Sequence, residues 1–326
     1  MTCQPLLLVD GNSLLHRSYH AMAGTNLRRG DGHPSWAIKG FWNLLAAACD
    51  RVDAAGATIA FDTGQSVRHN VYPQYKAGRA DKPQDLTAQL AAAPTHLRAC
   101  GFQVVTEPGY EADDILAAVA ARNLAQNVPT VIVTSDRDAF SLITDEGAGV
   151  RVLRVINGGA DNWALLNSER LHILTGVYPH EYRTYAAIRG DSSDNLPGVK
   201  GIGEKTAAKL LAFLRERKLT LTDVLDDPNG ANTLVAAVGK GAAAKFDATG
   251  RDNFRRNMVL MAQDEHAPSD TIDGAFFPLP AAALDQQLRE WNLTVNTSTY
   301  RQADTQHAPA PAWMPTPDAV GTATLF

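Results

Sequence analysis

Nine carboxylates stand out in this 326-residue chain because each closes an apolar run or sits in a turn: Asp10, Asp62, Glu111, Asp113, Asp114, Asp136, Asp138, Asp191 and Asp194. Their spacing lets them converge. Glu111 and Asp114 share a face if a helix starts there, Asp136 and Asp138 point the same way from an extended chain, and Asp191 and Asp194 meet across one turn. Two such charges about 4 Å apart repel by roughly 4 kcal/mol at an effective dielectric of about 20. Several such pairs would overwhelm a stability of about 5–15 kcal/mol. Either the acids are protonated or divalent cations neutralise them. With oxygen donors only and no Cys or His among them, Mg²⁺ or Mn²⁺ suits the set better than zinc. Two ions about 3.5–4 Å apart would activate a water and stabilise the leaving oxygen of a phosphodiester. Any one of these acids alone reads well as a helix cap or a solvated surface group; the nine together do not.

Asp191 and Asp194 run directly into a glycine-punctuated stretch, Gly198, Gly201 and Gly203, which carries Lys200 and Lys205 and is followed by Lys209. This is not a dinucleotide fingerprint, which must follow a strand; here it follows Asp194-Asn195-Leu196-Pro197. A helix-hairpin-helix is the better reading. Glycines let the backbone approach phosphate, amides at a helix start bind it, and the lysines supply the charge that sequence-independent nucleic-acid binding requires. A second basic stretch, Gly64 to Pro83, sets Arg68, His69, Lys76, Arg79 and Lys82 against Asp81 alone, with Tyr72 and Tyr75 interleaved. Long insertions of this kind are usually functional or disordered. Lys76 and Arg79, three apart, could clamp a phosphate from one helix face, and a tyrosine beside them could stack on a base.

The elements that must position these groups follow from hydrophobic pattern. Apolar runs at Leu6–Val9, Thr58–Phe61, Phe102–Val105, Thr130–Thr134 and Arg151–Ile156 read as strands. They alternate with helical patterns, among them a helix through Tyr19 capped by Asn12 or Ser13, one over Trp36–Cys49 and one over Ala112–Ala125. That alternation predicts an α/β domain with a mostly parallel sheet, whose ligands bind outside the carboxyl ends of the strands, where Asp10, Asp62 and Asp136 fall. From about Leu171 only short Ala- and Leu-rich helices remain, including Thr206–Leu214, Leu234–Val238 and Phe254–Met261. The Ala-, Pro- and Thr-rich tail from Ala303 is expected to be disordered. Composition is that of a globular protein, 45% hydrophobic and 20% charged, and no apolar run reaches the roughly 18 residues of a membrane span. The N-terminal apolar run ends in Asp10 and reads as a buried strand rather than a signal peptide. Three widely spaced cysteines, Cys3, Cys49 and Cys100, suit a reducing cytoplasm and not a disulfide framework. The net charge of −5 is unusual for a nucleic-acid binder, unless the acids are gathered in a metal cluster and the bases elsewhere.

In combination, these motifs resemble the 5′-nuclease superfamily, which includes phage flap endonucleases and the 5′–3′ exonuclease domain of bacterial DNA polymerase I. The resemblance is carried by Val9-Asp10-Gly11-Asn12, Phe61-Asp62, Arg68-His69, Tyr75-Lys76-Ala77-Gly78-Arg79, Glu111-Ala112-Asp113-Asp114, Ser135-Asp136-Arg137-Asp138, and Gly190-Asp191-Ser192-Ser193-Asp194-Asn195 with the hairpin Pro197 to Thr206. It implies a PIN-like nuclease domain over 1–170 with a helical arch at about 64–95. A helix-hairpin-helix (or helix-three-turn-helix) DNA-binding domain with C-terminal helices would cover 171–302, and the tail 303–326. It implies two metal sites for Mg²⁺ or Mn²⁺, one from Asp10, Asp62, Glu111 and Asp113, the other from Asp136, Asp138, Asp191 and Asp194, with Asp114 in support. K⁺ is a further ligand of the hairpin in such proteins. Lys76 and Arg79 would engage the scissile phosphate, Tyr75 the 5′ nucleotide, and Arg68 the same entrance, while Gly198, Lys200, Gly201, Gly203, Lys205 and Lys209 would hold duplex. The expected activity is structure-specific, metal-dependent 5′–3′ exonuclease and flap endonuclease action in replication and repair, by a monomer beside a DNA polymerase, on flaps, nicks and RNA/DNA primers. A non-catalytic binder of branched DNA would lack some of the carboxylates. An Asp-nucleophile phosphatase wants an acid where Asn12 stands. A PIN-type ribonuclease usually lacks the hairpin.

Overall fold

A computed structural model describes residues 4–64, 66–268 and 276–301. The tail expected to be disordered lies outside the described residues. Six strands form one sheet: β1 (Leu6–Asp10), β2 (Gly56–Ala60), β3 (Gln103–Val105), β4 (Thr130–Thr134), β5 (Val150–Arg154) and β6 (Ala164–Leu166). Their order is β3-β2-β1-β4-β5-β6, parallel throughout except for β6, which runs antiparallel to β5. The chain winds outward from β1 in one direction through β2 and β3, then returns to the other side at β4. The carboxyl ends of β1, β2 and β4 therefore surround the crevice where such sheets bind ligands.

Each strand is apolar on both sides because both faces of the sheet are covered. Leu7, Val9, Val131 and Val133 pack with Phe41, Trp42 and Leu45 of α2 (Trp36–Val52), which follows α1 (Gly11–Met22). Leu8 and Ile132 point the other way, onto Ile115, Leu116 and Val119. At about 1.5–3 kcal/mol for each fully buried large apolar side chain, this two-sided burial pins the register that brings the strand ends level.

Between β2 and β3 lie the single turn α3 (Arg68–Val71) and α4 (Gln84–Ala99), and β3 leads to α5 (Ala112–Ala125). The segment expected as the arch is short of helix before Gln84. It lies against the turn after Asp191: the Lys76 and Asn195 groups are tied to Asp194 and Gln74 by Lys76 N–H to the Asp194 carbonyl (2.9 Å) and Asn195 Nδ2 to the Gln74 carbonyl (2.8 Å). After α6 (Ser168–Thr175) and α7 (Pro179–Arg189), the short pair β7 (Gly190–Asp191) and β8 (Leu196–Pro197) closes a hairpin. A helical unit follows: α8 (Glu204–Glu216), α9 (Leu221–Asp226), α10 (Gly230–Val238), α11 (Lys240–Ala243) and α12 (Ala248–Leu260). Its core is continuous with the α5 face of the sheet.

Residues 276–301, expected with the helical unit, pack instead on the first domain. Leu284 and Leu288 of α13 (Ala281–Glu290), with Trp291 and Tyr300, join the Trp42–Phe102 core. The reason is an i, i+4 leucine seam that meets α4, while His96 of α4 hydrogen-bonds Gln287 (3.2 Å) and packs its ring at a tilt against Trp291.

Candidate active site

Strand β1 runs into α1 without a loop, and Asp10, its last residue, is the helix cap: Oδ1 accepts the Ser13 amide at 2.9 Å and Oδ2 accepts the Thr134 hydroxyl at 2.8 Å. The cap is thus Asp10, not Asn12 or Ser13, because a strand ending in Asp already presents an acceptor to the first turn. Gly11 follows because the Phe61 ring fills the space, 2.5 Å from where a Cβ would stand. Asn12 instead brackets Asp62, donating from Nδ2 to Oδ2 (2.8 Å) and accepting the Asp62 amide (3.1 Å). Asp62 also accepts the Ala112 amide at 2.8 Å, which ties the end of β2 to the start of α5.

Seven of the nine predicted acids, Asp10, Asp62, Glu111, Asp113, Asp136, Asp138 and Asp191, line one cavity of about 520 Å³ at the carboxyl edge of the sheet. Lys76 and Arg79 line it too. Burial pushes Asp10 up to about 7, with Asp136 and Asp62 adding to the rise. Burial likewise pushes Asp138 up to about 8, reinforced by Asp136, Asp191 and Asp194. Asp113 is held well above the carboxylate range by burial and by the charges of Asp136 and Asp10. Asp136 opens toward the cavity, yet burial of its carboxyl with Asp194 and Asp191 nearby raises it as well. Among the described residues no three of these acids close on one point as a ready chelate. The fit to divalent cations lies in donor chemistry: the acids offer hard oxygens only, and burial together with their mutual repulsion raises their pKa values, a cost that a bound cation relieves.

Two predicted ligands are placed otherwise. Asp114 faces away from the cavity, in a two-pronged pair with Arg68 (both contacts 2.7 Å), and also accepts the amides of Glu111 and Asp264. Burial alone would raise it, but the Arg68 hydrogen bonds and charge hold it below its ordinary value. Asp194 turns from Asp191 to Arg79 and to the Tyr75 hydroxyl (3.0 Å). Ser193 bridges the two across the turn, donating its amide and hydroxyl to Asp191 (2.7 Å each) with the same hydroxyl 3.3 Å from Asp194 Oδ1.

The predicted nucleic-acid contacts divide similarly. Arg68 is only 9% exposed, spent on Asp114, Glu111 and the carbonyls of Leu260 and Ala262, and so is structural. Tyr75 is 4% exposed with its hydroxyl between Glu111 (3.1 Å) and Asp194, so its ring offers no face to a base. Lys76 sits in left-handed backbone (φ 57°) and its Nζ contacts Glu111 Oε1 at 2.7 Å. Burial would lower its pKa, but Glu111 and Asp194 raise it, so it is a cation at the cavity wall. Gly198 serves close packing: a Cβ there would stand 2.2 Å from the Arg189 carbonyl carbon. Gly201 and Gly203 do leave their backbone open, and Lys200, Lys205 and Lys209 are exposed around them. Sequence reasoning missed Asn12 and two cations of the cavity, Arg137 and Arg189. Their position was the signal, since Arg137 stands between Asp136 and Asp138, and Arg189 two residues before Asp191.

An open, mostly parallel sheet with acids gathered at its carboxyl edge, joined through a hairpin to a helical unit, is the architecture that two family models recognise. Residues 5–172 match the family model described as 5′–3′ exonuclease, N-terminal resolvase-like domain, and residues 177–244 that of the 5′–3′ exonuclease, C-terminal SAM fold. The chain belongs to the 5′–3′ exonuclease family. The DNA polymerase I of Chloroflexus aurantiacus is 34% identical over 243 residues, 74% of this chain and 25% of that protein. The thermostable DNA polymerase I of Thermus aquaticus is 39% identical over 207 residues, 63% of this chain and 23% of that protein. The chain spans about a quarter of the length of these relatives. Among solved structures, the T5 5′-exonuclease with bound zinc ions aligns at a TM-score of 0.60 and 21% identity, covering 88% of this chain and 98% of that one. The catalytic core of Rad2 in complex with DNA substrate aligns at 0.51 and 16%, covering 89% and 88%. At these identities the likeness is one of fold.

Proposed function

We propose that the chain is a structure-specific 5′–3′ exonuclease and flap endonuclease that hydrolyses DNA phosphodiester bonds with two divalent metal ions, Mg²⁺ or Mn²⁺. The observation that carries this reading is the ring of seven acids in one cavity with Lys76 on its wall. Asp10, Asp62, Glu111 and Asp113 are the proposed ligands of one ion, and Asp136, Asp138 and Asp191 of the other. When bound, the ions would supply a nucleophile at neutral pH and charge stabilisation for the leaving oxygen. The chain's own groups do the rest. Asn12 fixes the Asp62 carboxylate, and Thr134 with the Ser13 amide fixes Asp10. Lys76, held by Glu111, lies where a cation would draw the scissile phosphate over the acids, and Arg79 would move from Asp194 to a phosphate oxygen.

The open amides near Gly201 and Gly203, with Lys200, Lys205 and Lys209, are the proposed grip on duplex, with K⁺ a candidate ligand there. The substrates would be flaps, nicks and RNA/DNA primers in replication and repair. A monomer beside a polymerase fits this role. A cytoplasmic setting is supported by the buried unpaired thiols of Cys49 and Cys100. Cleavage of a labelled 5′-flap duplex, with and without EDTA, tests the reading. Cuts at the junction that vanish with EDTA are expected, and cutting that persists in EDTA would overturn it.

A further inference from the structure

Arg137 and Arg189 reach the cavity from different elements, the turn after β4 and the end of α7, yet both point at one carboxylate. Glu204 Oε1 lies 3.1 Å from Arg137 and 3.4 Å from Arg189. Glu204 is the first residue of α8, directly after the open Gly203, and its side chain is 58% exposed. Both guanidinium groups keep a buried donor without a hydrogen bond: Arg137 Nε has no partner among the described residues, and the Arg189 Nη1 contact with Glu204 is an ion pair that lacks hydrogen-bond geometry. Arg189 also lines a second cavity of about 320 Å³, walled by Ser192, Asn195 and the backbone of Gly190 and Gly198. Each of the two cations thus holds a donor in reserve, and one of them lines both cavities. Orphaned N–H groups of guanidinium are satisfied best by a fork-shaped anion such as phosphate.

We infer that Arg137 and Arg189 form a clamp for one backbone phosphate of the nucleic acid, and that Glu204 occupies the clamp until the strand arrives. The inference rests on the nuclease reading and adds to it a link between grip and cut. A phosphate that displaces Glu204 frees the start of α8, where the open glycine amides lie, so engagement of the hairpin and entry of the strand favour each other.

The alternative is that both arginines only offset the charge of the acids, and Arg189 does lower Asp138. Salt dependence separates the two. Binding of a fluorescent 5′-flap duplex would be measured in Ca²⁺ across salt concentrations for the wild type, Arg189→Ala and Glu204→Gln. Each lost phosphate contact flattens the slope of log K against log salt by about 0.9 on duplex or about 0.7 on single strand. Arg189→Ala is expected to lose one such contact and to weaken binding about tenfold at low salt. Glu204→Gln is expected to tighten binding severalfold by removing the competing carboxylate. A neutral methylphosphonate placed at successive backbone positions should weaken the wild type at one position at which Arg189→Ala is indifferent. An unchanged slope in Arg189→Ala, or a Glu204→Gln that binds no tighter, overturns the clamp while leaving wild-type cleavage intact. A wild type that neither binds nor cuts the flap overturns the clamp and the nuclease reading together.

Discussion

Asp113 and Asp114 are neighbours on the first turn of α5, and one step along the helix puts their carboxyls in opposite surroundings. Asp113 points into the cavity among Asp10, Asp62, Asp136 and Asp138, which with burial raise it well above its usual range. Asp114 points behind the cavity to Arg68, which outweighs burial and holds it below. Both carboxyls are shielded from water, but only the second has its partners, with two guanidinium contacts and two backbone amides. A satisfied buried pair fixes structure, whereas an unsatisfied cluster stores repulsion that an added cation can relieve. The helix register therefore separates scaffold from chemistry within one Glu-Ala-Asp-Asp motif.

The contrast can be broken from either side. The largest effect is expected on the cavity side: Asp113→Asn should cut flap cleavage by about a thousandfold, the several kcal/mol that metal-assisted charge stabilisation supplies. It should also raise the melting temperature of EDTA-treated protein, since a buried repulsion is removed. Loss of thermal stability together with full activity would reverse the assignment of Asp113. On the scaffold side, Arg68→Ala strands Asp114 and should cost about 3–5 kcal/mol in urea unfolding; a midpoint unchanged within error would show that the pair holds nothing. Gly198→Ala is a smaller structural probe, about 1–3 kcal/mol for overpacking against Arg189. Gly203→Ala, with open space around it, should unfold like the wild type.

The pH dependence sharpens the same contrast. Asp10 and Asp138 have folded-state pKa values raised to about 7 and about 8, so between pH 4 and 8 the folded chain binds more protons than the unfolded one. Their contribution to stability therefore falls as pH rises through that window. Calorimetry in EDTA should show a lower melting temperature at pH 8 than at pH 5. Mg²⁺ should restore more at pH 8 than at pH 5, and equal restoration at both would place the ions elsewhere.

The strands and the acids at their ends were legible because a strand buried on both faces must be apolar, so the first polar residue marks its exit. Ala112–Ala125 was readable to the residue for a similar reason, with Glu111 and Asp114 forming its capping box. Less legible was which side of an element each acid takes. Arg68 and Tyr75 read as substrate contacts from their basic and aromatic neighbours, but both are filled by Glu111 together with Asp114 or Asp194. The return of α13 to the first domain was also hidden, since an i, i+4 leucine seam states that a partner exists but not where.

By itself, the sequence determined the parallel α/β class, the positions of the carboxylates and the glycine-punctuated turn, because these follow from local period and from chain ends. Only the tertiary structure decided that Asp191 faces the cavity while Asp194 faces Arg79, that Gly198 packs while Gly201 and Gly203 stay open, and that Arg137 and Arg189 meet at Glu204. The physical reason is common to all three. Charge and close packing act at a few ångströms across elements far apart in sequence, so pairing is a property of the assembled fold.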